Sequence, residues 1–361
     1  MIQSIMATAV NEKDFSYLIS NYDITDGVDI FNYFPLKQQN GFMWKSATNA
    51  QSTRQAARVI ARNASLPLGE NPATDILRGD IPKIGVKYFM LDDELSEFQT
   101  ALARANDASA QQLVRETLDD HAKKVIDMIN HRVSWMGLQG MSRGKVEFTR
   151  DNNGSVVSEQ DLDYMMIRRG RYGAAWTDKA NATPITGDFV NAVKDGKAKG
   201  FNFKFAWMSL NTFAAMAATE EVIKLSASLA TNILGAAYIP GVDAVNNALR
   251  TRSDINNIQI KIIDELIDVD GENKNPFIDN VVLFTESEKL GESYWATPAD
   301  MAVKGSNAMK ALNSFICVKQ WAEEDPLCEI TAGIANIIPA FVASQRAMLV
   351  DVVNETWSEG D

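Results

Sequence analysis

Cysteine and histidine are almost absent from this chain of 361 residues, which holds only Cys317, Cys328, His121 and His131. Two thiols make no disulfide framework and two imidazoles supply few metal ligands, so stapled secreted scaffolds and zinc proteins are excluded. Long hydrophobic runs are missing as well. No uninterrupted stretch approaches the roughly 18 apolar residues of a membrane-spanning helix, so no membrane is expected as a partner. The opening residues, Met1 to Met6, carry no basic stretch ahead of an apolar block, which argues against a secretory signal.

Catalytic signatures are lacking in the same way. Gly140-Met141-Ser142-Arg143-Gly144-Lys145-Val146 looks like a phosphate loop, but it is one residue short between its glycines. Val146 also stands where a hydroxyl must hold the metal. A helix stop entering a strand accounts for the glycines. Ser142-Arg143-Gly144-Lys145 matches a Ser-x-x-Lys pattern that has no Lys-Thr-Gly partner. Asp268-Val269-Asp270-Gly271 brings its glycine two positions too early for a calcium loop and reads as a hairpin turn. Cys317 and Cys328 read as buried apolar groups. Asp127 and His131, four apart on a helix, are a conceivable acid–base pair, and an ordinary exposed contact explains that spacing more simply. No residue set carries a reaction, and no cofactor is expected.

What the chain has is a core-forming composition, 46% apolar and 23% charged, with a mean hydropathy of −0.17. Its 35 cations and 47 acids leave a net charge of −12, which disfavours a whole surface dedicated to nucleic acid. The charges are unevenly placed. Lys37, Lys45, Arg54, Arg58, Arg62, Arg78, Lys83 and Lys87 face only Glu70, Asp75 and Asp80 within the same stretch. Acidic clusters lie elsewhere, at Asp92-Asp93-Glu94, between Asp264 and Glu272, and at Glu323-Glu324-Asp325 with Glu329. Attraction between Arg54, Arg58, Arg62 and Arg78 of one copy and the acidic body of the next would steer head-to-tail association, with Asp92, Asp93, Glu94, Glu323, Glu324 and Asp325 as the receiving side. Contacts of that kind close into rings or shells.

Along the chain, the first 50 or so residues read as extended. Phe31, Tyr33, Phe34, Phe42 and Trp44 lack helical spacing, so the segment is expected to need a neighbour to lie on. Pro67, Gly69, Pro72, Gly79, Pro82 and Gly85 exclude a helix and suit a long loop or hairpin. Residues 106–136 then form the strongest helix, with Leu118, Ala122, Val125, Ile129, Val133 and Met136 as one apolar stripe. It starts at Asn106 or Asp107, stops at Gly137, and is roughly 45 Å long. Strands follow: one through Val146 and Phe148, its return over residues 161–167, and one alternating at Phe201, Phe203 and Phe205. A pair over residues 258–267 and 277–284 turns at Asp270-Gly271, and further strands run near residues 315–319 and 341–353. Ser209 caps a helix reaching about Leu225. No internal repeat is visible.

This order of elements resembles the major capsid proteins of tailed bacteriophages, particularly the lambda-type family (phage major capsid protein E) with the HK97-like fold. The local likenesses are Arg115-Glu116 through Arg132 leading to Gly144-Lys145-Val146, Tyr172-Gly173-Ala174-Ala175-Trp176 ahead of Pro184, and Asp268-Val269-Asp270-Gly271 ahead of Val281-Val282-Leu283-Phe284. Asp325-Pro326 followed by Ile338-Pro339 adds a fourth. The resemblance implies an α+β fold in five parts. These are an N-terminal arm (1–50), an extended loop (51–90), a peripheral domain with a spine helix (91–185, helix 106–136), an axial domain (186–305) and a return to the peripheral domain (306–361). It further implies a self-assembling subunit of an icosahedral shell, built as hexamers and pentamers around double-stranded DNA in the virion and assembled in the bacterial host cytoplasm. Portal, scaffold and decoration proteins would be partners. Two alternatives remain at this point: an encapsulin-like compartment shell, and a hydrolase using Asp127 and His131.

Overall fold

A computed structural model describes residues 4, 11–49, 74–104, 107–148, 160–227, 239–269, 272–303, 308–325 and 327–358. Arg54, Arg58 and Arg62 lie outside the described residues. The chain forms two compact units from interleaved stretches: Met1–Trp44, Gly79–Met136 and Glu292–Ala340 in the first, Lys45–Arg78, Gly137–Gly291 and Phe341–Asp361 in the second.

The first unit is a six-stranded sheet backed by a helix. Its strands are β1 (Leu36–Gln38), β4 (Lys83–Met90), β13 (Glu292–Ala296), β14 (Met309–Asn313), β15 (Ile316–Glu324) and β16 (Leu327–Ala340). The central strand β16 pairs antiparallel with β15 on one side and with β4 and β13 in succession on the other. The intervening β2 (Met43–Asn49) and β3 (Thr74–Asp80) form a two-stranded sheet of their own.

Arg143 closes the long helix α4 (Asp107–Arg143), a rod of about 55 Å. All six stripe residues from Leu118 to Met136 are at most 1% exposed. The helix approaches the sheet closely because Gly333 of β16 has no side chain there. A Cβ at that position would stand 2.3 Å from Val125 Cγ1 and 2.8 Å from Ile129 Cδ1. The expected stop at Gly137 does not occur. Leu138 and Met141 are buried, so a further turn gains apolar burial. The helix ends where Gly144 takes a φ of +72°, a conformation open to glycine without strain.

The expectation for the N-terminal segment is overturned. Residues 11–44 contain α1 (Glu12–Ser20) and the short α2 (Ile30–Tyr33) and are sheltered by their own chain. Phe15, Ile19, Ile24, Ile30, Phe31, Phe34 and Trp44 are buried. Phe31 meets Phe315 at 5.7 Å and Trp44 stacks on Tyr294 at 5.3 Å. The Asn313 amide donates to the carbonyls of Ile19 and Tyr22, and β1 runs parallel to β13. The covering strands lie some 250–300 residues further along the chain, where no local pattern reveals them.

The second unit centres on a five-stranded sheet in the order β7-β17-β12-β8-β9. Its strands are β7 (Ile167–Arg169), β8 (Phe205–Ser209), β9 (Gln259–Ile263), β12 (Val281–Thr285) and β17 (Met348–Asp351). Around it stand α5 (Val190–Ala198), α6 (Leu210–Ala217), α7 (Glu220–Ala227) and α8 (Val242–Arg250). Two hairpins, β5 (Lys145–Phe148) with β6 (Gln160–Asp163) and β10 (Ile267–Val269) with β11 (Glu272–Lys274), complete it.

Several expected pairings change. β9 and β12 flank β8 and do not pair with each other. The expected return strand of β5 breaks at Met165, whose φ is +53°, so Ile167 opens β7 in a different sheet. Phe201 and Phe203 precede β8 as buried coil, and Ser209 caps α6, with a new helix beginning at Glu220. The expected closing strand shortens to β17.

Candidate assembly surface

Strand pairing sorts the side chains of the six-stranded sheet onto two faces. Tyr88, Thr331 and Gln320 form one cross-strand row, and Val86, Gly333 and Val318 the next. Since Gly333 meets α4, this is the helix-covered face. His121 of α4 packs against Tyr88, with ring centroids 4.6 Å apart, and is only 7% exposed. Burial, and then the Lys124 charge, push its pKa below the usual imidazole range. Glu329, expected with the surface acids, is instead buried here. Its carboxylate accepts from the Ser4 hydroxyl at 2.8 Å and the Gln320 amide at 3.0 Å, and Thr331 donates to Gln320.

On the other face, Lys87, Ala332, Lys319 and Lys310 make one row, and Phe89, Ile330 and Trp321 the next. Asp300 organises the first of these. It accepts from Lys319 and from Lys83 (2.9 Å), and these two cations pull its carboxyl down to about 2. Lys310 donates to the carbonyls of Asp300 and Val303.

Sheet register also joins the two acidic clusters that the sequence separates. β4 ends at Met90, opposite Glu329 near the start of β16. Asp92, Asp93 and Glu94 open α3 (Asp92–Arg104) directly after it, at the end of the sheet where β15 finishes on Glu323 and Glu324 and Asp325 follows. All six are exposed. The first three also suit the positive end of a helix dipole. Phe89, Leu91 and Leu327 in the same region are 46%, 55% and 40% exposed, an apolar feature that the charge pattern alone does not disclose.

The basic stretch is less available than its composition suggests. Lys37 pairs with Glu292 at 2.6 Å, Lys83 with Asp300, and Lys87 lies over the Trp321 ring. Arg78 is exposed on β3.

Asp127 and His131 are both exposed on α4. Neither lines the groove of about 560 Å³ beside α1, which is bordered by Asp14, Tyr17, Arg115 and Asp119. Among the described residues no group of three or more acidic, thiol or imidazole side chains is placed to hold a metal. No helix among them is long and apolar enough to cross a membrane. Cys317 and Cys328 are buried, and burial raises both thiols above the ordinary range.

A family model described as Phage major capsid protein E matches residues 47–348. The chain belongs to this family. As a phage major capsid protein it forms the shell of a virion and associates with copies of itself. Among solved structures, an Escherichia coli CFT073 prophage protein assigned as a capsid protein is 13% identical, with 94% of this chain and 98% of that one covered at a TM-score of 0.55. A phage-related protein from Bordetella bronchiseptica RB50 is 10% identical, with 93% and 95% covered at a TM-score of 0.50. The fold is the HK97-like capsid fold, α+β as expected. A search of curated proteins returns no match. Family and fold are those of structural capsid proteins, and neither the encapsulin reading nor the hydrolase reading is favoured.

Proposed function

We propose that this capsid protein builds an icosahedral shell of hexamers and pentamers around a double-stranded DNA genome. The family match over most of the chain is the observation that carries the reading. Residues 1–50 serve as the N-terminal arm of the family, with residues 11–44 laid on the six-stranded unit of their own chain. Residues 51–90 act as the extended loop, 91–185 with 306–361 as the peripheral domain, and 186–305 as the axial domain. Assembly takes place in the bacterial host cytoplasm, with portal, scaffold and decoration proteins as partners.

In this reading the joined acidic end of the six-stranded sheet receives the basic loop of a neighbouring copy. Six exposed carboxylates on two elements, with Phe89, Leu91 and Leu327 beside them, offer charge for steering and apolar area for holding. The test is to replace Arg54, Arg58, Arg62 and Arg78 with glutamate and examine the expressed protein by electron microscopy. Wild type is expected to form closed shells, and the variant to remain as folded subunits. Normal shells from the variant would refute the electrostatic contact. Wild-type protein that never closes into shells would refute the function.

A further inference from the structure

The second unit carries a cationic patch. From Arg168 to Lys204 the chain holds eight cations against Asp178, Asp188 and Asp195, a local surplus in a protein of net charge −12. Arg168 and Arg171 are committed internally, to Asp163 at 2.9 Å and Glu355 at 2.7 Å. Arg169 lies over the Tyr172 ring at 3.8 Å and bonds Asp195 at 2.6 Å, which sets β7 against α5. That helix buries Ala192, Val193 and Gly196. Gly196 is required by the ring of Phe203, which a Cβ would approach to 2.5 Å. With this face inward, Lys194 and Lys197 point to solvent one turn apart, and Lys199 follows them, also exposed. None of the three lysines forms an ion pair with a described residue. Asp188 does not offset them, because it is buried and accepts from the Trp176 indole (2.7 Å) and the Tyr172 N–H (2.9 Å). Asp195 is taken up by Arg169 and by the Tyr172 hydroxyl at 2.6 Å.

We infer that Lys194, Lys197 and Lys199 form a contact for the phosphate backbone of double-stranded DNA. The helix dipole accounts for cations at the end of α5 but not for Lys194. None of the large exposed apolar side chains lies between residues 167 and 204. A protein partner is held by apolar anchors, whereas a duplex backbone is held by charge alone. Contacts of this kind are weak and reversible at physiological salt. A patch limited to three side chains therefore leaves the genome free to enter and leave. The inference rests on the proposal that the shell encloses a duplex.

Its test is fluorescence anisotropy of a labelled mixed-sequence duplex of about 30 bp with the unassembled full chain, between about 50 and 200 mM salt. The triple variant Lys194→Gln, Lys197→Gln, Lys199→Gln is expected to reduce the magnitude of the log K against log salt slope by about 2.7, at roughly 0.9 per phosphate contact. The Lys→Arg triple should keep the wild-type slope. An unchanged slope in the glutamine variant, or an equal fall on neutralising Lys13, Lys123 and Lys224, would overturn the inference. So would competition by polyglutamate as strong as by unlabelled duplex. Shell formation is scored separately by electron microscopy: shells with unaltered DNA binding refute the patch alone, and failure of wild type to form shells refutes the function alone.

Discussion

Gly333 offers a sharp test of how the long helix is seated. Its missing side chain leaves β16 close enough for Val125 and Ile129 to pack on the strand itself, and both are essentially unexposed. In Gly333→Ala the new methyl would begin 2.3 Å from Val125 Cγ1 and 2.8 Å from Ile129 Cδ1. Neither neighbour is a long flexible side chain with somewhere to go, because the stripe is filled on both sides. The helix must lift or the side chains must leave their rotamers, an overpacking cost of roughly 1–3 kcal/mol. Val125→Ala alone also destabilises, by opening a cavity in place of two methyl groups. Combined, the two changes should compensate, because the new methyl occupies the space that Val125 vacates. The coupling expected between such directly contacting positions is about 0.5–3 kcal/mol in favour of the double variant. Urea unfolding of unassembled wild type and the three variants measures it. A Gly333→Ala protein within about 0.5 kcal/mol of wild type, or strictly additive changes in the double variant, would refute the close-approach argument.

Two further outcomes follow from titrating groups. Asp300 is held below its ordinary value by Lys319 and Lys83, so its stabilising contribution is full above the unfolded carboxyl range near pH 4 and is lost as pH falls toward 2. The urea midpoint of wild type should therefore exceed that of Asp300→Asn at neutral pH, with the gap closing between pH 4 and 2; a gap independent of pH would contradict the ion pairs. His121 is lowered by burial, with Lys124 opposing and Asp120 and Glu94 favouring its charged form, and it faces Tyr88. The unfolded imidazole takes up its proton first, so stability falls as pH drops below about 6.5. Replacing His121 with phenylalanine should flatten that part of the pH–stability profile, and an unchanged profile would count against a buried neutral imidazole.

Elements with a strong local period were legible. The stripe from Leu118 to Met136 is buried in full, the β5 strand stands where alternation puts it, and the two cysteines are core residues. The pair expected over residues 258–267 and 277–284 does not form, because β9 and β12 each pair with β8. The order of elements in the sequence resembles that of the family to which the chain belongs. Two positions misled. Gly137 reads as a stop because glycine commonly ends helices, yet burial of Leu138 and Met141 outweighs it. Aromatics without helical spacing suggested a naked arm, and their cover proved to be strands from the far end of the chain.

The candidate surfaces were legible only as charge counts. Asp92-Asp93-Glu94 and Glu323-Glu324-Asp325 each stand out in the sequence, but pairing of Met90 with Glu329 is what brings them to one end of one sheet. Glu329 counts as an acid like its neighbours until strand parity turns it inward toward Ser4 and Gln320. Lys194, Lys197 and Lys199 stand among acids in the sequence, but Asp188 is buried and Asp195 is paired with Arg169.

Periodicity, breakers and composition are properties of neighbouring residues, so the sequence by itself determined the long helix, the β5 strand and the likeness to the family. Which strands pair, which face a side chain takes and which charges remain unmatched depend on contacts between residues hundreds of positions apart. Those contacts are selected by burial and hydrogen bonding of the whole chain at once. For that reason only the tertiary structure decided that residues 11–44 are covered by distant strands of their own chain, that two acidic clusters come to one end of one sheet, and that Lys194 and Lys197 on α5, with Lys199 just beyond it, are left facing outward.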